Sequence, residues 1–115
     1  MRIAVISDIH ANLEALEAVM AHIATQKCER IICLGDVVGY GPNPSECIRL
    51  LADAHIHCVK GNHDEASAND EYPFRMNSVA QAAILWTQDE LSAVEKLWLS
   101  NLPMSLEENG ITFVH

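Results

Sequence analysis

The sequence predicts an α/β fold with a largely parallel sheet and flanking helices, and three features carry that prediction. The stretch Ile31-Ile32-Cys33-Leu34, entered through Arg30, is a continuous apolar run that stops at Gly35-Asp36. A run without alternation marks a strand buried on both faces, as the strands of a parallel sheet are. Comparable runs occur at Met1–Ser7, ending on Asp8-Ile9-His10, and at Ile56–Val59, ending on Gly61-Asn62-His63-Asp64. Segments of helical period separate the three runs, and a strand–helix–strand–helix–strand order calls for right-handed crossovers and parallel pairing. In open sheets of this kind ligands collect beyond the carboxyl ends of the strands, and there all three runs place polar residues.

Asn12 is placed to cap the first helix, on which Leu13, Leu16, Val19, Met20 and Ile23 share one face and Glu14, Glu17 and His22 lie outside it. After the second strand comes the turn-rich loop Gly39-Tyr40-Gly41-Pro42-Asn43-Pro44. Its end predicts a helix start, with Asn43 as N-cap, Pro44 in the first helical position and Glu46 completing a capping box. Cys47, Ile48, Leu50 and Leu51 give that helix its buried side, and His55 and His57 on the third strand are structural. From Glu65 to Asn77 the chain is polar and irregular, which predicts a mobile loop beside the strand ends. Two helices follow. Val79, Ala82, Ala83 and Trp86 mark the first; a Thr87–Glu90 capping box opens the second, faced by Leu91, Val94, Leu97 and Trp98. Met104–Glu107 and Ile111–Val114 predict a hairpin around Glu108-Asn109-Gly110, because Asn-Gly supports the positive φ angles of a tight turn. Its second strand ends on His115, which joins the other strand ends only if that strand enters the same sheet in the same direction.

With 115 residues the chain is long enough for one core and not for two. No apolar run approaches the roughly 18 residues of a membrane span, and no leader-like segment precedes the first strand, so the expectation is a cytoplasmic protein. A formal net charge of −9 argues against nonspecific binding to a nucleic-acid backbone. It leaves room for a small phosphorylated substrate if metal ions supply the positive charge. Cys28, Cys33, Cys47 and Cys58 form no C-x-x-C pair and read as small hydrophobes in a reducing compartment rather than as a zinc site.

Parallel pairing brings Asp8, His10, Asp36, Asn62 and His63 to one sheet edge. Alone, Asp8 or Asp36 is as readily a cap or turn residue; in company with His10 and Asn62-His63 the capping explanation weakens. Carboxylate, amide and imidazole donors together suit Mn²⁺, Fe, Zn²⁺ or Ni²⁺ better than Ca²⁺ or a thiolate-bound structural zinc. A carboxylate standing between two such clusters, as Asp36 does, can bridge two ions roughly 3.5–4 Å apart.

Asp8-Ile9-His10, Gly35-Asp36-Val37-Val38-Gly39 and Gly61-Asn62-His63-Asp64 resemble the D-x-H, G-D and G-N-H-[DE] motifs of the calcineurin-like metallophosphoesterases, in the same order. Val38-Gly39-Tyr40-Gly41-Pro42-Asn43-Pro44 is similar to a loop common in the small bacterial phosphodiesterase-like branch. The resemblance implies that residues 1–115 form the N-terminal part of a four-layer α/β/β/α sandwich. It also implies hydrolysis of a phosphoester by a hydroxide held between two divalent transition-metal ions. Asp8, His10 and Asp36 would ligate one ion, and Asp36, Asn62 and His115 the other. His63 would face the substrate and protonate the leaving oxygen, with Asp64 orienting its ring, so that Asn62 and His63 meet the substrate and His63 and Asp64 are catalytic. Dinucleoside-polyphosphate hydrolysis, protein dephosphorylation and a catalytically silent binding scaffold are the alternatives on the same fold; the presence of His63 favours an enzyme.

Two departures qualify the resemblance. Ala11 stands where many relatives have glycine, and the G-H-x-H loop that completes both metal sites in the family has no counterpart in these residues. The 115 residues by themselves are therefore expected to bind at most one metal firmly, to self-associate through apolar surface, and to show little phosphodiesterase activity.

Overall fold

A three-stranded parallel sheet in the order β1-β2-β3 forms the base on which every candidate residue is mounted. The structure is a computed structural model that describes residues 1–115. Strand β1 (Ile3–Ile6) pairs along its length with β2 (Arg30–Cys33), and β2 pairs with the short β3 (His57–Cys58) in the register Ile32 to His57 and Cys33 to Cys58. The apolar run expected for the second strand is buried at Ile32 and Cys33, whereas β1 keeps Val5 half exposed, so β1 is covered on one side only.

Helices α1 (Leu13–Ala24) and α2 (Pro44–Asp53) supply the crossovers. Asn12 caps α1 as predicted, accepting from the Ala15 amide at 3.1 Å. At α2, Asn43 is the N-cap and Pro44 opens the helix, but the Asn43 side chain makes no bond to the helix backbone. It donates instead to Glu46 Oε2. Leu16 from α1, Cys47, Ile48 and Leu51 from α2, and Cys33 and Cys58 from the sheet form one apolar cluster with Val37, Val38, Leu91 and Leu99. All four cysteines are free thiols, and burial pushes the Cys47 thiol up to about 12, as suits a packed hydrophobe rather than a metal-binding thiolate.

Three boundaries differ from expectation. The predicted loop from Glu65 to Asn77 begins with a helix, α3 (Asn62–Ala68), and only the residues after it are irregular. Alternating small and polar residues gave α3 no apolar period; it forms because Asp64, at its third position, satisfies the Gly61 amide (2.9 Å) and binds the neighbouring loop. The second difference is at residues 87–90. Helix α4 (Ser78–Glu90) runs straight through them, with the Thr87 hydroxyl buried and bonded to the Ala83 carbonyl at 2.7 Å. The capping box that opens α5 (Ala93–Ser100) is Ser92 with Glu95, the second of two candidate boxes five residues apart. Third, β4 (Ser105–Glu108) and β5 (Ile111–Val114) form a ladder of their own and add no strand to the parallel sheet. The turn between them is as predicted, with Asn109 and Gly110 at φ +52° and +75°. No helix is long and apolar enough to cross a membrane.

Candidate metal centre

The loops that leave β1, β2 and β3 are stitched to one another by backbone hydrogen bonds. The Asp8 amide donates to the Gly35 carbonyl, His10 to Asp36 and Ala11 to Val37, all at 2.8–2.9 Å, and Gly41 returns a bond to the His10 carbonyl at 3.0 Å. This lacing holds residues in conformations they avoid elsewhere. Asp8, His10, Ala11, Asp36 and Tyr40 all have φ between +47° and +60°. For a side chain with a Cβ that region costs about 1–2 kcal/mol per residue, and such strain gathers where surrounding structure fixes the backbone for a task. Ala11, the smallest residue with a Cβ, is fully buried in this conformation.

Asp36 is the hub. Its carboxylate is almost fully buried, and Oδ1 accepts the His63 amide at 3.0 Å. Oδ2 faces His10 Nε2 at 3.7 Å and His115 Nε2 at 3.3 Å. Asp8 Oδ1 lies 3.5 Å from His10 Nε2, and Asn62 Oδ1 lies 3.1 Å from His115 Nε2. Ligand atoms of Asp8, Asp36 and His115 fall within 4.8 Å of one another, and so do those of His10, Asp36 and His63. Gly61 has to be glycine here, because a Cβ would collide with the Asp36 carboxylate.

The tautomers sharpen the picture. His10 Nδ1 is 2.9 Å from the Val38 carbonyl and His115 Nδ1 is 2.7 Å from the Leu34 carbonyl. A carbonyl can only accept, so in both rings Nδ1 carries the proton and the neutral ring presents an Nε2 lone pair. Both lone pairs then point at the oxygens of Asp8, Asp36 and Asn62, acceptor against acceptor. A metal ion between them removes the conflict, as would a second proton on either ring, and an imidazole whose other nitrogen donates to a carbonyl is the usual arrangement of a metal-ligating histidine. The residues therefore fit divalent metal, with nitrogen and oxygen donors and no thiolate.

His115 reaches this group by a route the sequence did not show. Its strand is antiparallel to β4 and outside the parallel sheet, yet the hairpin is fastened beside it. Arg30 and Glu108 pair at 2.9 Å, and the Lys60 amide donates to the Pro103 carbonyl at 2.8 Å. The condition that His115 must arrive in a parallel strand is thus corrected: an antiparallel hairpin outside that sheet delivers it.

His63 stands beside the cluster on the first turn of α3. Its ring centroid is 4.9 Å from that of His10 and 5.0 Å from that of Tyr40, and Tyr40 meets His10 edge-on at 5.0 Å. Burial holds the imidazole below its ordinary range, opposed by the negative charge of Asp36. The Nδ1 atom is buried with no hydrogen-bond partner, and it lies against Gly39, where a Cβ would come within 2.5 Å of it.

The expectation that Asp64 orients the His63 ring is not met. Asp64 is fully buried and spends both oxygens on the backbone: Oδ2 accepts from Asp36 (2.8 Å) and Gly61 (2.9 Å), and Oδ1 from Val37 (2.9 Å) and Val38 (3.2 Å). Burial pushes its carboxyl up to about 6, with the N–H groups of Gly61, Val38 and Asp36 pulling the other way. The N–H groups of successive loop residues converge on it, so it clamps the loop that carries Asp36 rather than the ring of its neighbour. What holds His63 in place is the wall of Gly39 and Tyr40. That contact left a trace in the sequence only as a glycine–aromatic pair in a turn-rich loop.

Comparison with known proteins follows the same lines. The family model for the calcineurin-like phosphoesterases matches residues 1–115. A protein of Methanocaldococcus jannaschii, MJ0912, is 46% identical over 107 residues, which cover 93% of this chain and 44% of that one. The crystal structure of a metallophosphoesterase from Sphaerobacter thermophilus superposes with a TM-score of 0.78 at 41% identity, covering 97% of this chain and 45% of that chain. A putative diadenosine tetraphosphatase shares the fold, with a TM-score of 0.79 at 22% identity over 99% of this chain and 49% of the other. The chain spans less than half the length of the first two. Motif order, strand-end geometry and these matches agree, and the chain belongs to the calcineurin-like phosphoesterase family.

Proposed function

We propose that this chain carries the greater part of the active site of a phosphoester hydrolase, a phosphodiesterase or phosphatase working with two divalent transition-metal ions. The observation that supports the reading best is the pair of histidines whose Nδ1 protons are committed to the Val38 and Leu34 carbonyls while both Nε2 atoms face Asp36 Oδ2. Asp8, His10 and Asp36 would hold one ion and Asp36, Asn62 and His115 the other. Bound there, the ions supply positive charge for phosphoryl oxygens and acidify a water into a nucleophile at neutral pH.

The remaining chemistry falls to the chain. Asp36, fixed through Oδ1 by the His63 amide, offers Oδ2 to both groups of ligands. His63 has Nδ1 buried against Gly39, so Nε2 is the nitrogen left to meet a substrate and to give a proton to the departing oxygen. The ring is kept neutral at rest by burial; an anionic phosphoester beside it favours the protonated form, as Asp36 already does. Tyr40 closes one side of the ring and limits its rotation.

The test is a leaving-group series on the full-length protein with Mn²⁺ supplied. His63→Ala is expected to slow esters of poor leaving groups by about 10²–10⁴-fold and to affect nitrophenyl esters far less, because nitrophenolate departs without a proton. An equal loss for both classes would remove His63 from the acid role.

A further inference from the structure

Outside the ligand cluster, and sharing only Asn62 with it, lies a cavity of about 620 Å³ between the outer face of α3 and residues 69–76. Asn62 and Asn69, at the two ends of α3, both line it. At 1.5 Å of rise per residue they stand about 10 Å apart, a length that takes a ring and a linking group. Tyr72 and Phe74 line it with ring centroids 4.7 Å apart, and they are 48% and 81% exposed. Two large rings presented to water side by side are a cost that the core of this chain does not require.

The platform that carries them is built rather than loose. Gln88 is 8% exposed, and its Nε2 donates to the Ala66 carbonyl at 2.9 Å and to the Glu71 carbonyl at 2.8 Å. Gln81 donates to the Met76 carbonyl at 2.9 Å and meets the Tyr72 hydroxyl at 3.4 Å. A buried amide committed to surface carbonyls holds the segment in one shape before any ligand arrives, which is the condition for a binding platform. Arg75 also lines the cavity and makes no ion pair or hydrogen bond, in a chain of net charge −9. Its planar guanidinium is free to stack or to meet a phosphate oxygen. Glu65 and Glu71, on opposite walls, offer acceptors for hydroxyl groups.

We propose that this cavity is a subsite for the organic arm of the phosphoester, and that it selects an arm carrying a planar aromatic or heteroaromatic ring and a hydroxyl-bearing linker. The ring stacks on Phe74 and Tyr72, and the phosphoryl end lies toward Asn62. The proposal rests on the phosphoester-hydrolase reading above and adds the substrate class to it.

Two diesters with the same nitrophenolate leaving group test it in the full-length protein: the p-nitrophenyl ester of thymidine 5′-monophosphate and ethyl p-nitrophenyl phosphate. The wild-type KM is expected to be lower for the thymidine ester by about tenfold to a hundredfold, the span that aromatic stacking provides per base. Phe74→Ala and, separately, Arg75→Ala should bring the ratio of the two KM values toward one. Phe74 is exposed, so its truncation leaves the fold intact. A wild-type ratio near one, or a ratio unchanged in both variants, overturns the subsite. If neither ester is hydrolysed, the phosphoester-hydrolase reading fails, and binding of thymidine 5′-monophosphate by titration calorimetry still decides the subsite. Binding weakened tenfold by Phe74→Ala supports it; no binding, or binding indifferent to the substitution, rejects it.

Discussion

Replacing Asp64 by asparagine isolates the clamp beneath the candidate metal centre. The carboxylate accepts four backbone N–H groups, two on each oxygen, at 2.8–3.2 Å, with no exposure to solvent. An amide keeps one acceptor oxygen and turns an NH₂ toward two of the four donors. Leaving a buried donor unsatisfied costs about 1–3 kcal/mol, so two orphaned donors amount to about 2–6 kcal/mol. The substitution also removes a charge that burial disfavours, which is why the carboxyl sits at about 6; that relief offsets part of the loss. The expected net destabilisation is about 2–4 kcal/mol in urea unfolding of the full-length protein. Because the clamp positions the Asp36 loop and not the imidazole, turnover should fall equally for good and poor leaving groups, unlike the pattern expected of His63→Ala. An unfolding free energy within about 0.5 kcal/mol of wild type, the scale of an ordinary surface change, would refute the clamp. A rate loss confined to poor leaving groups would return Asp64 to the role of orienting His63.

Ser67 presents the opposite case: its hydroxyl is buried with no partner, so Ser67→Ala should be neutral or stabilising by up to about 1 kcal/mol, measured by the same urea titration. Gly39→Ala places a methyl 2.5 Å from His63 Nδ1 at a residue whose φ is +94°; displacing the ring should lower kcat by about 10–100-fold while metal content, by elemental analysis, stays at the wild-type level.

Much of the site was legible because parallel strands end at a common edge. Asp8, His10, Asp36, Asn62 and His63 each follow a short apolar run, and pairing of β1 with β2 and β2 with β3 is enough to bring them together. His115 was only conditionally legible, since no local pattern tells which side of a sheet a hairpin will fasten to; here Arg30 with Glu108 and Lys60 with Pro103 decide it. The role of Asp64 was hidden because a carboxylate next to an imidazole suggests a partner for the ring, while the four amides it binds belong to the backbone and leave no mark in side-chain identity. Helix α3 escaped notice for a related reason, being held by that same carboxylate rather than by an apolar face. Two S/T-x-x-E patterns, at Thr87 and at Ser92, compete for the capping box, and packing of Thr87 into the core favours the later one. The positive φ angles of Asp8, His10, Asp36 and Tyr40 were likewise out of reach: Asp and His enter that region more often than most residues, but only a small fraction of them do.

The central claim is that Asp36 joins two metal positions, and metal content reads it directly. The full-length protein, loaded with Mn²⁺ and freed of excess ion, should hold two equivalents by elemental analysis. Asp36→Asn keeps the shape of the side chain and removes the negative charge that draws two dications together, so both equivalents should be lost. Two equivalents retained in the variant, or the loss of one alone, would contradict a shared carboxylate at the hub of the site.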